Sequence, residues 1–165
     1  MKLVVESVAE DGTAAPIFER TFLRDFPFCG PYPVADKSYS EAAVKALLYV
    51  HEMPQVQRWL ESGEPDMSYV LYSYPAKMLS AVICNETALA GMMPEYRESC
   101  EKIALAVADF LISLSKKEGE PLAFFPPTYY GDLIASGNAE NAGKMMTLDA
   151  ESAAEAFLDL YLLTE

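Results

Sequence analysis

The stretch from Pro94 to Lys117 limits the fold of this chain more than any other. Tyr96, Cys100, Ile103, Val107, Phe110 and Leu114 recur at helical spacing, and Ala104, Ala108 and Leu111 widen the stripe. A helix apolar over so much of its circumference must be packed on several sides, so other helices have to surround it. Met93-Pro94-Glu95 opens this helix. Lys116 and Lys117 suit the negative end of its dipole, and Gly119 is the expected stop.

The surrounding helices carry their own signals. Ser38-x-x-Glu41 is a capping box, with serine and glutamate side chains satisfying amides that have no intrahelical partner. Ala42 to His51 follows it. Pro54 starts a short helix over Gln55 to Glu61, closed by Ser62-Gly63-Glu64-Pro65. Met67 to Leu89 is a third pattern, and Pro75 within it marks a start or a kink. A last helix is capped by Thr147 or Asp149 and turns Ala153, Phe157, Leu160 and Tyr161 to one face.

The N-terminal part reads differently. Lys2 to Val8 is valine-rich and loosely alternating, Glu10-Asp11-Gly12 is a turn signal, and Ile17 to Leu23 can return as a second strand. Phe26 to Pro33 is too proline-rich for a helix. The expected class is therefore mostly α, built of paired helical hairpins in a bundle or partial ring. A short extended or β-hairpin arm over residues 1–37 precedes a helical domain over residues 38–165.

The 165 residues and 52% hydrophobic content suffice for a packed core. The net charge is −13, and residues 121–165 contain only Lys144 against seven carboxylates. Such a surface repels phosphate backbones and anionic membranes, which argues against nucleic-acid and membrane partners. The three cysteines, Cys29, Cys84 and Cys100, are widely spaced and form neither a disulfide framework nor a metal motif; they are expected as small buried hydrophobes. No metal or cofactor is expected, since dinucleotide and phosphate-loop motifs are absent and His51 is the one histidine. His51 itself is expected at the surface or as a helix cap. The polar N-terminus favours a cytoplasmic setting, or an extracellular one if the chain is a piece of a secreted protein.

Pro121 to Leu133 (PLAFFPPTYYGDL) gathers the aromatic residues of a candidate binding site. Phe125, Tyr129 and Tyr130 offer ring faces, Asp132 a carboxylate, and the proline pair Pro126-Pro127 stiffens the loop. Tyr69 and Tyr72, with Lys77, offer a second aromatic group. The alternative for each ring is a place in the core. Glu52, Asp66, Asp109 and Asp132 are the carboxylates considered for acid–base work, and no pair of them forms a catalytic signature. Asp109 interrupts an apolar helix, so its plainer role is on that helix's solvated strip.

The run Ala108-Asp109-Phe110-Leu111-Ile112-Ser113-Leu114, the aromatic loop, and Ala153-Ala154-Glu155-Ala156-Phe157-Leu158-Asp159-Leu160-Tyr161 together resemble the α/α-toroid proteins over residues 70–165. These helical barrels occur among glycoside hydrolases, polysaccharide lyases and related carbohydrate-active proteins. The resemblance implies an oligosaccharide ligand in a cleft near the 124–132 loop. A complete toroid takes a longer chain, so the resemblance implies a fragment of one or a half-toroid that joins a second copy or a partner chain; the alternative is a small bundle unrelated to that family. No catalytic residue of that family is matched here. The other expected function is a non-catalytic helical module that binds protein through exposed aromatic and methionine side chains.

Overall fold

A computed structural model describes residues 2–21, 35–131, 141 and 143–165. The chain divides into two compact units, Met1–Asp36 and Lys37–Glu165. It is mostly helical, with five helices among the described residues and an N-terminal two-stranded antiparallel sheet.

In the first unit, β1 (Lys2–Val8) pairs with β2 (Ala14–Thr21). Gly12 takes a left-handed φ of 85°, and Asp11 Oδ1 accepts from the Thr13 amide at 2.9 Å. These bonds hold the Asp11 carboxyl below its usual range. The second strand starts earlier than its sequence suggests, because Pro16 is tolerated there. Val5 pairs with Phe18 and Glu6 with Pro16, so Ile17 is left over as a bulge. Proline has no amide to give the ladder and belongs where pairing is irregular. Every residue of both strands is exposed.

The second unit contains α1 (Tyr39–His51), α2 (Pro54–Ser62), α3 (Pro75–Met92), α4 (Arg97–Leu114) and α5 (Thr147–Thr164). Single 3₁₀ turns, Val70–Ser73 and Pro94–Tyr96, lead into α3 and α4. The capping box forms: the Glu41 amide donates to Ser38 Oγ at 3.2 Å and the Ser38 amide donates to Glu41 Oε2 at 2.9 Å. Pro54 and Pro75 each begin a helix, where the missing amide costs nothing. Gly63 closes α2 with a left-handed φ of 69°.

Helix α3 is the centre, packing against α1, α4 and α5, while α2 leans on α4. Leu79, Ile83, Ile103, Val107 and Leu111 are fully buried where α3 meets α4. Ala104, Ala153 and Ala156 are small enough to let the helices approach closely. Trp59 of α2 is 1% exposed, and its Nε1 donates to the Tyr72 hydroxyl at 3.1 Å. Removing a side chain like this from a core costs about 3–5 kcal/mol.

Two helix ends differ from their sequence signals. Helix α4 stops at Leu114, because Ser115 is already extended and its hydroxyl donates to Leu111 O at 2.9 Å. Lys117 still serves that end from outside, donating from Nζ to Ser113 O at 3.0 Å. At the start of α5, neither Thr147 nor Asp149 is the cap. Met146 holds that position with no side-chain bond of its own, and its amide donates to Thr128 Oγ1 at 2.8 Å. The aromatic loop thus holds the backbone at the entry to α5, and the helix starts without a side-chain cap.

Candidate functional site

The aromatic loop is fastened to the start of α3 by its backbone. Ala76 N–H donates to Pro127 O at 3.2 Å and Tyr130 N–H donates to Ser73 O at 2.9 Å. On its other side, Lys116 N–H donates to Phe125 O at 3.0 Å and Phe124 N–H to Lys116 O at 2.9 Å. Leu122 and Phe124 take left-handed φ values of 60° and 68°, a strained choice for such side chains. Both point into solvent, and Phe124 is 70% exposed. Of the loop's two phenylalanines, Phe124 therefore takes no place in the core: the left-handed turn that lets the loop pair with Lys116 leaves its ring exposed.

Tyr129 stacks edge to face on Tyr74, ring centres 5.5 Å apart. Tyr74, Phe125, Tyr129 and Tyr130 are all half-buried, so each keeps part of its ring accessible. Proline at 126 and 127, the backbone bonds and the Thr128–Met146 bond together fix this loop at the end of the unit where α3 and α5 begin and α4 finishes. Asp132 lies outside the described residues.

Tyr69 and Tyr72 are brought together elsewhere. Their rings meet edge to face at 5.0 Å, and both line a pocket of about 200 Å³ with Val50, Met53, Val56, Met78 and Val82. Phe125, Tyr129 and Tyr130 do not line it, so the six candidate residues do not form one site. Tyr72 is largely committed to the core: its hydroxyl accepts from Trp59 and donates to Gln55 O at 3.2 Å. Burial pushes its phenol above the ordinary value. Lys77 and Asp109 are exposed, and Asp109 sits on the solvated strip of α4.

One cluster was missed in the sequence. His51 closes α1, but it is buried rather than at the surface, 5% exposed. Its Nδ1 lies 2.6 Å from Glu86 Oε2, and Glu86 is fully buried on α3. Asn85 Nδ2 donates to Glu86 Oε1 at 3.1 Å and to Leu47 O at 3.2 Å. Cys100 of α4 puts Sγ 3.8 Å from His51 Nδ1, and the Tyr96 ring edges against the imidazole at 5.4 Å. Burial first, then the charge and hydrogen bond of Glu86, pushes the Cys100 thiol up to about 12. Cys100 is therefore an unreactive thiol at neutral pH.

His51, Glu86 and Cys100 each offer one metal-ligand atom, all within 4.8 Å of one another. Three donors are one short of a closed zinc tetrahedron. His51 Nδ1, the Glu86 carboxyl and Cys100 Sγ already partner one another, so the cluster reads as a buried hydrogen-bonded network. Its members are 35 and 49 residues apart, and no local motif announces them.

No described helix is long and apolar enough to cross a membrane. In comparisons with known proteins, no protein-family model, curated protein or solved structure matches the chain.

Proposed function

We propose that the helical unit recognises carbohydrate, with the loop end carrying Tyr74, Phe125, Tyr129 and Tyr130 as its contact face. The observation that carries this reading is the half-exposed Tyr74–Tyr129 pair beside a loop tied to α3 through Ala76–Pro127 and Tyr130–Ser73 backbone bonds. Ring faces held in place before binding suit the apolar face of a pyranose, because little ordering is left to be done when the sugar arrives. The partial α/α-toroid belongs to the same reading, in which loops at one end of paired helices meet the sugar. No acid–base pair is assigned, so the reading is one of recognition. The test is a thermal-shift screen of the purified chain against neutral and acidic oligosaccharides. A saturable rise in melting temperature with one sugar class is the expected result, because a ligand binding only the folded state stabilises it. No shift across the panel would overturn the proposal.

A second reading has its own observation. Leu105 and Ile112 on α4 and Leu158 and Leu162 on α5 are exposed apolar side chains at helical spacing. This pattern favours a helical interaction module that meets a second copy or a partner chain. Light scattering separates the two: a concentration-dependent dimer without any sugar response selects this second reading.

A further inference from the structure

We propose that His51, Glu86 and Cys100 form a site for one zinc ion, with three protein ligands and a fourth position for water. The site shares no residue with the loop face and does not depend on the carbohydrate reading.

Three helices bring the donors together: His51 closes α1, Glu86 lies on α3 and Cys100 on α4. Nδ1, a carboxylate oxygen and Sγ all lie within 4.8 Å of one another. All three side chains are buried, so their meeting is not the chance gathering of carboxylates on an acidic surface. Around a tetrahedral zinc, with bonds of about 2.0–2.3 Å, two ligand atoms stand roughly 3.3–3.6 Å apart. His51 Nδ1 and Cys100 Sγ are already close to that, at 3.8 Å. His51 Nδ1 and Glu86 Oε2, at 2.6 Å, need to open by under about an ångström.

The donor set names the ion. Thiolate and imidazole with one carboxylate suit zinc, whereas calcium and magnesium take oxygen ligands and iron–sulfur clusters take cysteines. Three protein ligands with one position left to water is the arrangement of an open zinc site. Charge points the same way. Glu86 and a Cys100 thiolate bring two negative charges, which one Zn²⁺ cancels, and a buried site without net charge avoids the cost of an unpaired ion. Asn85 Nδ2 donates to Glu86 Oε1 at 3.1 Å, an outer contact that holds the carboxylate while Oε2 meets His51. Tyr96 edges against the imidazole, and Leu89 and Ala90 pack with Cys100 in an apolar cluster. In the metal-free chain the donors hold one another by hydrogen bonds. Zinc takes the place of those bonds: the Cys100 thiol proton leaves to solvent, the His51 proton is carried on Nε2, and Sγ, Nδ1 and Oε2 each turn a lone pair to the ion.

The probe is cobalt(II), a spectroscopic stand-in for zinc, added to the reduced, chelator-treated full chain. Cys29→Ala with Cys84→Ala leaves Cys100 as the one thiol. This variant should bind one equivalent, with a Kd on the order of a micromolar or tighter, and show a thiolate-to-cobalt charge-transfer band and the visible bands of four-coordinate cobalt. Zinc should then bleach both by displacing cobalt, and should raise the melting temperature. Glu86→Gln should weaken cobalt by at least about tenfold, the usual cost of losing even an outer partner of a metal ligand. Circular dichroism checks that each variant is folded. No charge-transfer band from the folded single-thiol chain, with cobalt in large excess, would overturn the site. A band that persists in Cys100→Ala, with Cys29 and Cys84 intact, would place the metal elsewhere and overturn it too. Unchanged affinity in Glu86→Gln would overturn the three-ligand arrangement.

Discussion

The two halves of α3 treat polar and aromatic groups in opposite ways. Toward its C-terminal half, Glu86 is wholly buried and meets His51, Asn85 and Cys100, so every polar contact is made inside the unit. At its N-terminal end, Tyr74 meets Tyr129, and the neighbouring rings stay half-exposed while the backbone does the fastening. A buried charged group ties three helices into one register, because the arrangement fails if any partner is removed. A half-open aromatic group held by main-chain bonds can change its side chains without losing its place. The first end is closed on itself, and the second keeps ring surface accessible, as the proposed contact face requires.

Breaking the closed end should have the largest effect. His51→Leu leaves the Glu86 carboxylate buried with fewer partners, and should cost about 3–5 kcal/mol in urea denaturation. The double variant His51→Leu with Glu86→Leu should recover much of that loss, because the stranded charge is gone. A double variant as unstable as the single one would show that packing, not the pair, is what matters there.

Alkaline pH probes the same end through Cys100. Its thiol is pushed from an ordinary 9.0 up to about 12, so the folded chain holds the proton more tightly than the unfolded one. That contribution is fully present below about pH 9 and is lost as pH rises toward 12. Stability measured across this window should fall more steeply for the wild type than for Cys100→Ala. Equal slopes would contradict the assigned shift. In the same spirit, Cys100 should resist alkylation at pH 8 until the chain is unfolded.

The join between the loop and α5 should give a smaller effect. Thr128→Val keeps the shape but removes the acceptor for the Met146 amide, and should cost about 1 kcal/mol, the usual net worth of one hydrogen bond. Amide exchange at Met146 should quicken accordingly. Asp109→Ala should change stability by about 0.5 kcal/mol at most, since its side chain is in solvent.

These ends were unequally legible in the sequence. The hairpin turn at Asp11-Gly12, the Ser38–Glu41 box, and Pro54 and Pro75 as helix starts are local signals, and the fold class follows from them. The stripe of α4 correctly marked Ile103, Val107 and Leu111 as core. His51 was misread because its partner is 35 residues away and a lone histidine after a helix has no local mark of burial. The start of α5 was misread because Met146 takes the cap position without a side-chain bond, its amide held by Thr128 from 18 residues upstream rather than by the nearer Thr147 or Asp149. The aromatic residues were visible, yet their sorting into a loop face and a separate pocket depends on Tyr130 bonding to Ser73. Only the folded chain contains that contact.

Tyr130→Ala is the most direct test of the open end as a contact face. The variant keeps the Tyr130 main-chain bond to Ser73, so the loop should stay in place. The measurement is its melting temperature together with its affinity for the sugar that stabilises the wild type. Binding lost with a melting temperature within a few degrees of wild type is the predicted result. A large fall in melting temperature with binding retained would contradict it and return Tyr130 to the core.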